Sequence, residues 1–300
     1  MLTGVHFLLS YQCTFECDHC FLYCSPNVSG TFTITQLRRM FDQIAQMPSV
    51  NEVYFEGGEP FLFHPLMLEG ARLAHEQGLG IGIVTNCYWA TSVDDAVLWL
   101  KPLKGLNITD ISISDDAFHS GDEGSIYPKN AEQAAKLLGL PVGAICIEPP
   151  KVSEDRSPER KGEPVVGGDV CFRGRAADKL TEGLPVRPWQ SYQECSREEL
   201  VQPKRVHVDP FGNVHVCQGV SIGNIWQTPL KELMESYDAH SHPICGPLLK
   251  GGPAELARTY DISPAVGYVD ECHLCFDVRR QLLDRLPDEL APRQVYGVND

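Results

Sequence analysis

No stretch of the 300-residue chain approaches the roughly 20 consecutive apolar residues that a membrane helix needs. Residues 1–12 also lack a basic n-region and a small-residue cleavage site, so the expectation is a soluble cytoplasmic protein without a membrane partner. Positive charge is scarce. The 25 basic residues stand against 40 acidic ones, a formal net charge of −15, which argues against a general polyanion binder because that role needs a basic surface to release counterions. Nucleic acid is therefore not an expected partner. A Walker-type phosphate loop, an HExxH helix and a Ser-His-Asp arrangement are missing too, which leaves hydrolytic and nucleotide-driven chemistry without support. With 43% hydrophobic and 22% charged residues, a mainly disordered chain, a collagen-like repeat and a coiled coil are excluded.

Cysteine is plentiful for a cytosolic enzyme, at twelve residues, yet too dilute for a disulfide-stapled scaffold. In a reducing compartment clustered thiols point to metal or redox chemistry, and their spacing decides which.

The first half alternates short apolar runs with amphipathic helical patterns. Expected strands are Val5–Ser10, Glu52–Glu56, Ile81–Thr85, Ile108–Ser114 and Val142–Ile147. Between them the pattern predicts helices through Leu37–Ile44 (capped by Thr35), from Pro65 to near Gly78, over Val93–Leu103 and over Asn130–Leu138. Repeated βα units with near-continuous apolar strands imply a parallel sheet with helices outside, whose active site lies at the C-terminal strand ends. Pro149–Asp169, rich in Pro, Gly and charge, reads as a linker or mobile loop. Beyond it, Val206 and Val208, a turn at Pro210–Asn213, and Val214 and Val216 predict a β-hairpin. Helical patterns follow at Leu230–Tyr237 and Cys275–Leu286, and Gln281–Asp300 reads as a helix end with a Pro-containing tail.

Directly after the first expected strand stands Cys13-x3-Cys17-x2-Cys20. Three thiolates on one short loop can hold three irons of a [4Fe-4S] cube and leave the fourth open, while a zinc site or buried apolar cysteines are the plainer alternatives. This loop resembles the signature of the radical S-adenosylmethionine (SAM) superfamily, C-x3-C-x2-C, with His19 at a position usually aromatic. Gly57-Gly58-Glu59-Pro60 is similar to that family's GGEP motif, and Thr85-Asn86 to its TN segment, with Cys87 in place of the usual glycine. Ser112, Ser114 and Asp115 match in position residues that meet the SAM carboxylate and ribose, and Gly143–Glu148 partly matches the adenine-contacting segment.

The resemblance implies a partial (β/α)6 TIM-like barrel. It implies Cys13, Cys17 and Cys20 as ligands of a SAM-binding [4Fe-4S] cluster, with Gly57, Gly58, Glu59, Pro60, Asn86 and Ser114 around SAM. Reductive SAM cleavage would then give a 5′-deoxyadenosyl radical that abstracts hydrogen from the substrate. Cys24 is an extra thiol outside the triplet, and no catalytic side chain is assigned.

Cys195, Cys217, Cys272 and Cys275 lie in the C-terminal third, the last two as a C-x2-C opening a helix. The arrangement is similar to the SPASM auxiliary-cluster extension of radical SAM enzymes, or its shorter relative, twitch. No cysteine follows Cys275, so the resemblance implies one auxiliary [4Fe-4S] cluster in a small C-terminal α+β domain. A four-cysteine zinc site has the same spacing. Cys171 and Cys245 are rival ligands, and Cys171, in a C-F-R-G-R-A run that resembles a SPASM segment near the barrel exit, is also a candidate hydrogen donor. His207 and His215 are expected on an exposed strand face, while His240, His242 and His273 lie close enough to cysteines to be metal-ligand candidates.

The expected division is residues 1–170 as the radical SAM barrel and 171–300 as the auxiliary-cluster domain and tail. The first expectation for function is modification of a peptide or protein. The alternatives are dehydrogenation of a small molecule such as an aminoglycoside precursor and, from another class, a non-catalytic zinc or iron-sulfur module. An enzyme of this family implies an external electron donor such as ferredoxin or flavodoxin.

Overall fold

A computed structural model describes residues 1–121, 124–158 and 161–298, so the middle of the expected linker and the last two residues of the tail lie outside the described residues. The first strand, β1 (Gly4–Ser10), is buried along its whole length, as a strand covered on both faces must be. Its period of two sends Phe7 outward against helix α1 (Ile34–Ile44), where it stacks on Phe41 at 5.5 Å, and turns His6 and Leu8 to the opposite face. Thr33, not Thr35, caps α1: its hydroxyl accepts from the Gln36 amide (3.2 Å), and the Gln36 carboxamide accepts from the Thr33 amide (2.8 Å). The glutamine three residues downstream completes a capping box that Thr35 lacks.

Strand β2 (Glu52–Gly57), helix α2 (His64–Glu76), β3 (Gly80–Thr85), α3 (Val93–Leu100), β4 (Ile108–Ser114), the short α4 (Ala117–Ser120), α5 (Ile126–Leu138) and β5 (Gly143–Ile145) complete the alternation. The five strands stand in chain order and pair in parallel. The expected linker contains an antiparallel hairpin, β6 (Lys151–Glu154) with β7 (Pro164–Gly167). No residue of either strand is fully buried, so neither carries the apolar period of a core strand.

Helix α6 (Arg175–Lys179) and the two-residue β8 (Arg187–Pro188) lead to β9 (Arg205–Val208), β10 (Asn213–Cys217) and β11 (Val220–Asn224). The predicted hairpin is present but does not stand apart. β9 pairs in parallel with β1, His207 opposite His6, so one eight-stranded sheet runs β11-β10-β9-β1-β2-β3-β4-β5. The sixth parallel strand of the partial barrel therefore comes from the C-terminal portion of the chain.

Three helices finish the molecule: α7 (Leu230–Ser236), α8 (Cys245–Thr259) and, after β12 (Gly267–Tyr268) pairs with β8, α9 (Glu271–Gln281). α8 escapes a reading by pattern because Gly251, Gly252 and Pro253 interrupt it with a kink. α9 starts at Glu271, four residues before the expected Cys275, because the Asp270 carboxylate accepts from the His273 amide (2.7 Å) and caps it there. The tail is packed: Tyr296 is buried and stacks on Phe276 at 5.5 Å. Among the described residues no helix is long and apolar enough to cross a membrane.

The inner core of the βα layer centres on Phe7, Phe41 and Phe55, with Phe55 fully buried and stacked on Phe7 at 5.5 Å. Phe55→Ala should therefore cost about 3–5 kcal/mol, read from the midpoint of urea unfolding at unchanged m-value. A loss below 1 kcal/mol would show that the site collapses around the gap.

Candidate functional site

The loop from Cys13 to Cys20 belongs to no helix or strand. It is held from two sides by backbone. On one side the Gly58 amide donates to Ser10 O (2.6 Å) and the Glu59 amide to Gln12 O (2.9 Å). A Cβ on Gly58 would sit 2.0 Å from Gln12 O, a backbone atom that cannot move aside, so this glycine is required by the approach of two backbones just before Cys13. On the other side Gly174 adopts φ +60°, where a Cβ would lie 2.5 Å from the Phe21 backbone. Arg175 then closes the loop: its amide donates to Cys20 O (2.9 Å), and its guanidinium donates to Cys17 O (2.7 Å) and Cys24 O (2.8 Å).

Glu59 is fully buried and aims its carboxylate away from the cleft. One oxygen accepts from the Thr85 hydroxyl (2.9 Å) and the Phe61 amide (3.0 Å), the other from the Asn86 amide (2.8 Å). Burial nevertheless pushes this carboxyl up to about 7. Pro60 is buried beside it, and neither residue lines the cleft. Asn86 does line it, and its carboxamide nitrogen reaches Cys13 Sγ (3.4 Å) and Thr14 Oγ1 (3.1 Å). Cys87 has φ +62°, a left-handed conformation that explains why a glycine would be at home there.

A cleft of ≈ 320 Å³ opens at the C-terminal ends of the strands. Cys13, Cys17, Cys20, Gly57, Gly58, Asn86 and Ser114 all face it, whereas Ser112 and Asp115 do not. Ile145 and Ile147 of the fifth-strand segment form one wall. Burial pushes the Cys13 thiol up to about 11 and Cys17 to about 12. A hydrogen bond from Cys24 instead holds Cys20 down at about 6, so the extra thiol is the partner of a ligand candidate.

Sequence reasoning missed Asp116 and His119. Asp116 accepts from the Phe118 amide (3.0 Å), the Ile147 amide (3.3 Å) and His119 Nδ1 (2.8 Å). His19 packs 4.5 Å from Phe118 and 5.1 Å from His119, and burial lowers its pKa to about 4. The visible signal was Asp116 as an N-cap three residues before a histidine.

Cys195, Cys217, Cys272 and Cys275 converge on a gap of ≈ 20 Å³ together with Arg173 and Arg279. Burial pushes Cys195 up to about 12 and raises Cys272 and Cys275 as well. Arg173 Nη1 donates to Cys217 Sγ (3.2 Å) and Glu198 Oε1 (3.1 Å), and Arg279 Nη1 donates to Gln218 O (3.0 Å). Among the described residues no three cysteine sulfurs lie within 4.8 Å of one another. Four sulfurs on one zinc ion would be about 3.8 Å apart, given tetrahedral bonds of about 2.3 Å.

Cys245 is buried beside Tyr237 and lines neither opening, and Cys171 faces the larger cleft. His240 is exposed, while His242 and His273 each have a ring nitrogen accepting backbone amides. His207 and His215 are buried, not exposed, because pairing of β9 with β1 turns their strand face into the barrel interior.

Residues 7–139 match the Radical SAM superfamily. A curated relative, YydG of Bacillus subtilis (strain 168), whose name assigns it to peptide biosynthesis, is 24% identical over 112 residues, 37% of this chain and 35% of that protein. The match thus spans about a third of the relative's length. Among solved structures, BtrN in complex with AdoMet and 2-DOIA superposes with a TM-score of 0.52 at 15% identity, over 79% of this chain and 83% of that one, a likeness of fold. Streptococcus suis SuiB bound to precursor peptide SuiA gives a TM-score of 0.43 at 12% identity, over 78% and 64% of the two chains.

Glu59 generates a pH signature. Its folded value of about 7 exceeds the ordinary 4.5, so between these the folded chain binds the extra proton. The contribution is complete below about pH 4.5 and is lost as pH rises through 7, roughly 3 kcal/mol in all. Urea unfolding of wild type at pH 5 and pH 8 should show this decline, and Glu59→Gln should flatten it. An unchanged difference in the variant would assign the decline to other groups.

Proposed function

We propose that the chain, which carries a radical SAM domain, is a radical SAM enzyme that modifies a peptide or protein. The observation that carries this reading is convergence: three thiols from one loop, two glycines, Asn86 and Ser114 face one cleft at the C-terminal ends of parallel strands. The donor set fits an iron-sulfur group. With no three cysteine sulfurs within 4.8 Å of one another among the described residues, the loop suits a polynuclear cluster better than a single ion.

Cys13, Cys17 and Cys20 would hold a [4Fe-4S] cluster, and Gly57, Gly58, Asn86 and Ser114 would line the SAM site, with Glu59 and Pro60 supporting it from behind. When bound, the cluster supplies the electron that cleaves SAM to methionine and a 5′-deoxyadenosyl radical able to abstract hydrogen. The protein's part is placement. Asn86 orients Cys13 through its carboxamide, Arg175 fixes the carbonyls of Cys17 and Cys24, and Leu8, Phe15, Val84, Ile145 and Ile147 keep water from the cleft.

Cys195, Cys217, Cys272 and Cys275 would hold one auxiliary [4Fe-4S] cluster, with the guanidiniums of Arg173 and Arg279 offsetting its negative charge. Residues 1–170 then form the catalytic unit and 171–300 the auxiliary one, although the latter also lends β9 to the barrel. The peptide-biosynthesis name of YydG supports a peptidyl substrate. Dehydrogenation of a small molecule is the second reading, favoured by the likeness of fold to BtrN, solved in complex with AdoMet and 2-DOIA. An external ferredoxin or flavodoxin would supply electrons.

Protein purified anaerobically should contain about eight iron and eight sulfide per chain and, once reduced, convert SAM to 5′-deoxyadenosine. Replacing Cys13, Cys17 and Cys20 together by Ala should leave about four iron and abolish 5′-deoxyadenosine, and replacing Cys272 and Cys275 should also remove about four. Stoichiometric zinc without acid-labile sulfide would reverse the reading in favour of a structural metal module.

A further inference from the structure

We propose that Glu56 anchors a primary ammonium group of the substrate on the floor of the cleft. This rests on the radical SAM reading above and names the substrate's chemical class.

Glu56 lies near the C-terminal end of β2 and faces the cleft between apolar Leu8 and Val84. Its two oxygens have different surroundings. Oε1 is 2.9 Å from His207 Nε2 and 3.3 Å from His6 Nδ1, on the two neighbouring strands β9 and β1. Oε2 has no hydrogen-bond or ion-pair partner among the described residues. The imidazoles are themselves fixed: His6 stacks on Tyr54 at 4.5 Å, and His207 is buried. A carboxylate so gripped by one oxygen presents the other to the cleft in a set direction.

The same three residues bring their ligand atoms within 4.8 Å, so a divalent metal is the rival occupant. The remaining nitrogen of His207 disfavours it. With a metal on Nε2, Nδ1 would carry a proton, and metal-bound imidazoles normally donate that proton to an acceptor. Here Nδ1 is buried with no partner among the described residues, which suits a lone pair. Nε2 is then the protonated nitrogen, donating to Glu56.

Charge selects an ammonium over a neutral donor. Burial lowers the pKa of His207 and so favours the neutral ring beside Glu56. The other carboxylates of the cleft are otherwise engaged or wet: Asp116 accepts with both oxygens, and Asp169 is exposed. Arg173, also on the lining, is committed to Glu198 and Cys217. An anion in a partly apolar cleft binds a cation far more strongly than a surface carboxylate does.

The test uses cluster-loaded protein with SAM and no reductant, titrated calorimetrically with two matched pairs. One pair is acetyl-Gly-Lys-Gly-amide and its norleucine counterpart, the other cyclohexylamine and cyclohexanol. At least one amine should bind about tenfold or more tightly than its neutral isostere. The discriminating pair tells a peptidyl from a small-molecule amine. Glu56→Gln should bring that ratio within about twofold, and if this variant does not fold the wild-type ratio decides alone. Equal affinities within both pairs, no binding by either amine, or a preference untouched by Glu56→Gln would overturn the proposal. So would a stoichiometric divalent metal, measured by mass spectrometry, that is lost on His207→Ala. An intact amine preference in protein that never forms 5′-deoxyadenosine would instead overturn the enzymatic reading and leave the anchor standing.

Discussion

The cysteine loop after β1 has no ladder of its own, so its shape is imposed by backbone arriving from elsewhere. Gly58 and Glu59 pin the residues before Cys13, and Gly174 and Arg175 pin those from Cys17 to Cys24. Both clamps depend on contact too close for any side chain at Gly58 or Gly174. The second clamp comes from more than 150 residues along the chain. A loop fixed in this way presents its thiols in one arrangement before any metal arrives, which is the preorganisation a functional site needs.

Electrostatics supplies the next constraint. Burial pushes thiols in both sulfur sets towards the neutral form, and Cys24 holds Cys20 towards the charged one. Thiolates in such surroundings exist only against strong positive charge. For the second set the chain itself provides two buried guanidiniums, Arg173 and Arg279. Arg173 also reaches the lining of the larger cleft, so one side chain touches both openings. Phe21, next to Cys20, packs against that guanidinium at 5.3 Å, which joins the two sulfur regions through a single layer of side chains.

What the sequence made legible was local. The C-x3-C-x2-C loop, the βα alternation and the turn at Pro210–Asn213 depend on residues close together in the chain, and each appears where its pattern placed it. The misreadings concern long-range pairing. His207 and His215 looked exposed because a strand's own alternation does not say which face meets a partner, and the partner here is β1, some 200 residues away. Arg175 drew notice only as part of a run of residues, since nothing near it in sequence shows that it fastens the loop. The hairpin β6–β7 was hidden because strands without a buried face lack the periodicity by which strands are recognised.

Two glutamates three residues apart show how one strand end serves two sides of the site. Glu59 turns back under the GGEP turn, where burial outweighs three donated hydrogen bonds and favours the neutral acid. Its task is to tie the end of β3 to the end of β2, which sets Asn86 against Cys13. Glu56 points into the barrel, where burial is outweighed by His207 and His6, and the carboxyl is held well below its ordinary range. The difference arises from what each meets, amide and hydroxyl donors in one case and two imidazoles in the other. Glu59 therefore shapes the loop without facing the cleft, while Glu56 keeps a charge inside it. A charge retained at that cost in desolvation, on a chain already at −15, makes sense as an interaction reserved for something that enters from outside.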